Sequence, residues 1–117
     1  MANMGNTMKG RDSLMFSKCK ITVAKRMVHN NLANEYLEVP YVITVCDKVE
    51  DGQSFVADNP YELPNGMCAS AWADIRPYII AIASGGKFKF MKDEDTILAS
   101  CSDPIRPVLF TIERYDD

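Results

Sequence analysis

Apolar and polar residues alternate along "CKITVAKRMV". Cys19, Ile21, Val23 and Met27 fall on one side, and Lys18, Lys20, Thr22 and Arg26 on the other. A period of two with one apolar side predicts a half-buried strand. In "HNNLANEYLEV", Asn30 or Asn31 is suited to cap a short helix that sets Leu32 and Tyr36 on one face and stops at Pro40. "YVITVCDKVEDGQSFVAD" is rich in β-formers at its beginning and end, with the turn dipeptide Asp51-Gly52 between them. The prolines and Asn-Gly of "NPYELPNG" read as loop.

The clearest helix is "MCASAWADIRPYIIAIASGG". Cys68, Ala71, Trp72, Ile75, Ile79 and Ile82 follow the i, i+3, i+4, i+7 pattern and its extension, and Gly85-Gly86 supplies a left-handed stop. Pro77 lacks the N–H that would bond the carbonyl of Ala73, so a kink or two abutting helices is expected there. The C-terminal part reads as a hairpin. Ile97, Ala99 and Cys101 share one face of its first strand, Val108, Phe110 and Ile112 one face of its second, and Asp103 to Arg106 form the loop. The predicted order is β-α-β-β-α-β-β. Strands with one apolar face need a cover, so the fold expected is α+β: a small antiparallel sheet or half-open barrel covered by one long helix, kinked at Pro77, and one short helix.

At 117 residues the chain has room for one core and one domain. Residues 1–16 read as a flexible leader and 17–117 as the domain, with self-association a means of covering more apolar surface. The net charge of −3 and a pI near 5.1 leave no basic footprint for phosphates or an acidic bilayer, so neither nucleic acid nor a membrane is expected as partner. No apolar run spans a bilayer, and the start has no secretory h-region. The compartment expected is the cytoplasm, where Cys19, Cys46, Cys68 and Cys101 would be free thiols.

The segments "DGQSF", "PNGMCASAWADIRPYIIAIASGG" and "TILASCSDPIRPVLFTIER" together resemble a family of short proteins of no known activity, mostly from anaerobic bacteria and archaea. The resemblance covers about residues 19 to 114 and implies a cytosolic, anaerobic setting. The family pattern has a cysteine before the Gly-Gln/Asp-x-Phe turn (Cys46 here), another opening the long helix (Cys68), a cysteine pair in the penultimate strand and then Arg-Pro (Arg106-Pro107). Only Cys101 of the pair is matched, since Ser100 stands for its partner. Ser70 replaces an aromatic near Trp72, and Asp103-Pro104 replaces Asp-Gly, which removes the residue that adopts positive φ without strain. Losing one cysteine weakens the case for a four-thiolate centre.

Cys46, Cys68 and Cys101 stand at a strand end, a helix start and a strand end, which can converge. With His29 or Asp103 as a fourth ligand they would hold zinc or iron; alternatively one is a reactive or redox thiol. Packing is the commoner role for such cysteines, and Cys19 is assigned to the core. For Asp103 and Arg106 the simpler expectation is that Asp103 takes backbone N–H bonds across the turn and pairs with Arg106. The sharper one is that Arg106 clamps a carboxylate or phosphate, with Arg76 as a second anion contact. Trp72 is a core plug at helical spacing, or the back wall of a pocket.

No phosphate loop, nucleophile elbow, dinucleotide fingerprint or metalloprotease motif occurs, which weighs against a stand-alone enzyme. The functional expectation is a small-ligand domain for an anion or a metal, with Cys68, Cys101, Asp103 and Arg106 lining the pocket and Trp72 behind. The rivals are a small cysteine-dependent or redox enzyme, and a non-catalytic subunit of a larger anaerobic enzyme, where these residues only pack against a protein partner.

Overall fold

The computed structural model describes residues 16–38 and 44–115. Among these the order is β1 (Lys18–Arg26), α1 (Asn30–Tyr36), β2 (Ser54–Ala57), α2 (Ala69–Ala83), β3 (Thr96–Ser100) and β4 (Val108–Tyr115). The strands form one open antiparallel sheet in the order β2-β1-β4-β3, which makes the fold α+β and sets aside the half-open barrel. The alternation read in the sequence sets the faces. Cys19, Ile21 and Val23 of β1, Phe55 and Ala57 of β2, Ile97 and Ala99 of β3, and Val108, Phe110 and Ile112 of β4 are all buried. Between Val23 and Lys25 the β1–β4 register slips, a bulge that ends the clean alternation before Met27.

The apolar stripe of α2 (Trp72, Ile75, Ile79, Ile82) lies in one core with that face. The helix runs without interruption through Pro77, one helix rather than two abutting ones. It stops as the Gly-Gly pair requires. Gly85 sits at φ 91°, Gly86 N–H bonds the carbonyl of Ala81 at 2.8 Å, and Gly85 N–H bonds that of Ile82 at 3.1 Å. Arg114 of β4 then takes two carbonyls at this end, Ile82 at 2.8 Å and Gly86 at 3.0 Å. A guanidinium there satisfies groups the helix cannot and sits favourably at the negative end of its dipole.

Three expectations change. The N-cap of α1 is His29, without a side-chain cap bond, rather than Asn30 or Asn31. Its buried residue is Ala33, while Tyr36 is 74% exposed, so α1 is not held by a Leu32–Tyr36 face. Residues 44–50 contain no strand. Pro40 and the start of the strand expected over 41–46 fall outside the described residues, as do residues 1–15 of the leader. Phe16, at the leader's end, packs against the core and meets Tyr61 edge-on at 5.6 Å. No described helix is long and apolar enough to cross a membrane.

Candidate functional site

The loop between β3 and β4 is built by its own polar groups. Cys101 N–H bonds the carbonyl of Val108 at 3.0 Å, and Val108 N–H returns to Cys101 Sγ at 3.3 Å, closing the base of the loop. Within it, Asp103 Oδ1 accepts the N–H groups of Ile105 and Arg106, both at 2.9 Å. A carboxylate reaching two and three residues ahead in this way forms the turn that Pro104 permits. The loop is also tied to α2, because Asp74 Oδ2 accepts the N–H of Ser102 at 2.7 Å. The beginning of the long helix therefore lies beside the end of the hairpin. The segment after β1 runs along the same loop, with Met27 N–H on Pro107 and His29 N–H on Ile105.

Arg106 does not pair with Asp103, whose carboxylate is spent on the backbone. Its Nη2 instead donates to the carbonyl of Val45 at 2.9 Å and lies 3.8 Å from the carboxylate of Asp47. Asp47 is 89% exposed, so that ion pair contributes little. The Nε of Arg106 is fully enclosed and has no hydrogen-bond partner among the described residues. A second arginine completes the support of the same segment. Arg26 Nη1 donates to the carbonyls of Cys46 at 3.1 Å and Val49 at 2.8 Å, and its Nε to Asp51 at 3.1 Å. Residues 44–50 have no ladder of their own, so side-chain cations satisfy their carbonyls instead.

These three pieces enclose a cavity of about 360 Å³. Cys46, Cys68 and Cys101 line it together with Asp74, Asp103 and Arg106. Val49, Ala71, Val108 and Phe110 give it an apolar floor, and Lys48 adds a second cation. Five residues singled out in the sequence (Cys46, Cys68, Cys101, Asp103 and Arg106) thus meet in space. Trp72 does not line the cavity; it is 8% exposed and belongs to the core. Arg76 is committed elsewhere, donating to the carbonyl of Pro60 at 2.8 Å with its guanidinium 5.5 Å from the ring centre of Tyr61.

The metal expectation changes too. Among the described residues no three histidine, cysteine, aspartate or glutamate side chains are placed to hold an ion. Cys46, Cys68 and Cys101 line one space without forming a ligand set for zinc or iron, and His29 is not part of the lining. Cys19 is fully buried, with Sγ 3.8 Å from the carbonyl of Ile79. Burial pushes its thiol up to about 11, against a smaller opposing pull from Arg114.

Asp74, Ser70, Lys48 and Val49 were not anticipated as lining residues. A signal existed for two of them. Ser70 and Asp74 are four apart, so they share one edge of the helix, beside the apolar stripe that holds Ala71 and Ile75. Lys48 and Val49 lie in a segment read as strand, where nothing marked them.

Chemically, the arrangement offers a guanidinium with an unmet donor, accessible sulfur and a hydrocarbon floor. Asp74 and Asp103 both already accept backbone N–H bonds. Comparisons with protein-family models, curated proteins and solved structures return no match.

Proposed function

We propose that the domain binds a small organic anion in the cavity between the start of α2 and the β3–β4 loop, with Arg106 as the anchor. The observation that carries this is the enclosed, unpartnered Nε of Arg106 in a residue of the cavity wall. A buried donor left unmet costs about 1–3 kcal/mol, more on a charged group. The Arg106 side chain is 33% exposed as a whole, so a small turn of its guanidinium brings the enclosed donor to a carboxylate in the cavity, which supplies the missing acceptor through the stronger, charge-assisted kind of bond. The apolar floor favours a ligand with a short hydrocarbon part, and the volume is at the small end of ligand pockets. The resemblance drawn from the sequence fits a cytosolic setting, in which the cavity thiols stay reduced. Self-association remains part of the proposal and is read by sedimentation of the pure chain.

Titration of isotopically labelled protein with short-chain carboxylates, followed by amide NMR, tests the reading. Saturable shifts are expected at Ser102, Arg106 and the first turn of α2. Arg106→Gln should weaken binding by roughly 10- to 100-fold, the worth of one charged hydrogen bond. Shifts that persist unchanged in Arg106→Gln, or none at millimolar ligand, would sink it.

A further inference from the structure

We infer that the cavity thiols undergo exchange with organic disulfides that carry a carboxylate, and that Arg106 selects for that charge. The inference rests on the anion-site reading above and names the ligand class more closely. Three of the four cysteines of the chain open on this one cavity, each half-buried, whereas Cys19 is sealed in the core. The sulfur of Cys101 accepts the N–H of Val108, which holds it in the loop closure. Among the described residues the sulfurs of Cys46 and Cys68 accept and donate no hydrogen bond, and these two are the attacking groups.

The three thiols form no ligand set for an ion, and the two nearby carboxylates are engaged with backbone. Exchange with a disulfide needs neither a metal nor a general base held in place. The thiol loses its proton to solvent, and the thiolate sulfur forms a bond to one sulfur of the incoming disulfide. The bond between the two incoming sulfurs breaks, and the other half leaves as a thiolate that takes up a proton from water. One S–S bond is lost and one gained, so the incoming disulfide is the only oxidant required. Its carboxylate, a few bonds from sulfur, reaches Arg106 across the same cavity.

The charge argument gives the test its direction. At a net charge of −3, the long-range field of the chain favours cationic reagents. A preference for anionic ones can arise only locally. Reduced protein is reacted with three small disulfides of similar size: dithiodiglycolate (anionic), bis(2-hydroxyethyl) disulfide (neutral) and cystamine (cationic). Rates come from intact mass, each divided by the rate of the same reagent with a free small thiol, and peptide mapping locates the adduct. The expected result is an adduct on Cys46 or Cys68, with the anionic reagent favoured over the cationic by roughly tenfold or more. In Arg106→Gln the anionic and cationic rates are each divided by that variant's own rate with the neutral reagent, and the preference between them should reverse.

A control needs no variant. Glycolate, a carboxylate without sulfur, should slow the anionic reagent on the wild-type protein and spare the neutral one. Equal or cationic preference, or an adduct confined to Cys19 or Cys101, overturns the inference. If glycolate still gives the NMR shifts in that case, the anion site stands and only the exchange is wrong. If it gives none, both fall.

Discussion

Raising the pH separates Cys19 from the other thiols and tests how tightly the core is closed around it. Its side chain is fully buried between β1 and α2, and burial moves its thiol from 9.0 to about 11. The folded state therefore holds its proton more firmly than the unfolded chain. With the folded value raised, the contribution is fully present below about pH 9 and is lost as the pH climbs through about 11. Two pH units of difference correspond to about 2–3 kcal/mol. Cys19→Ala removes this dependence and costs about 1 kcal/mol for the lost sulfur volume, by analogy with deletion of one methylene. The variant should be the less stable protein at pH 7, and the two stabilities should cross on the alkaline side. Urea unfolding followed by circular dichroism, in reductant and at several pH values from 7 to 11, gives both curves. Parallel curves across that range would refute the reasoning, because the thiol would then ionise as easily inside as out.

Arg114→Gln leaves the carbonyls of Ile82 and Gly86 without their guanidinium at the end of α2, and thermal unfolding should register a loss of about 2–3 kcal/mol. Gly86→Ala sets a Cβ 2.8 Å from the backbone oxygen of Ala81, so the turn must open; chemical denaturation should show a loss of about 1–3 kcal/mol, and an unchanged midpoint would contradict the tight approach. The hydrogen bond from Lys87, followed by that from Arg114, holds the carboxyl of Asp95 below the usual carboxylate range. A depressed value stabilises the fold above about pH 4 and is lost as the pH falls through the folded value, so Asp95→Asn should flatten the acid limb of the stability profile relative to wild type.

The layer structure was legible because each of its residues obeys a local rule. Cys19, Ile21 and Val23 alternate, Ile75, Ile79 and Ile82 repeat at helical spacing, and Gly85 marks the stop; all but the glycine are buried in the single core, as those periods demand. Where burial did not follow local pattern, the reading went astray. Residues 44–46 end a run of strand composition, yet the carbonyl of Val45 is held by Arg106 and those of Cys46 and Val49 by Arg26, a substitute for a ladder that composition does not announce. The cap of α1 was misplaced for a related reason. His29 is fixed by its own N–H on the carbonyl of Ile105, a tertiary bond, and so takes the position that asparagine chemistry would otherwise claim.

The same substitution explains why the cavity exists. A ladder closing residues 44–50 onto the sheet edge would have spent backbone groups on backbone groups and drawn the segment flat. Arginine side chains reach further than a strand neighbour does, so the segment stands off the core with only Val49 buried among 44–50. The gap between that segment, the start of α2 and the β3–β4 loop is the cavity. Arg106 is then both strut and wall: Nη2 holds Val45 while Nε stays unmet. Its partner strut, Arg26, has every contact on backbone carbonyls and Asp51 and is absent from the cavity lining. Two arginines support one loop, and the difference in what their donors meet is why the proposed anion site is placed at Arg106 rather than at Arg26.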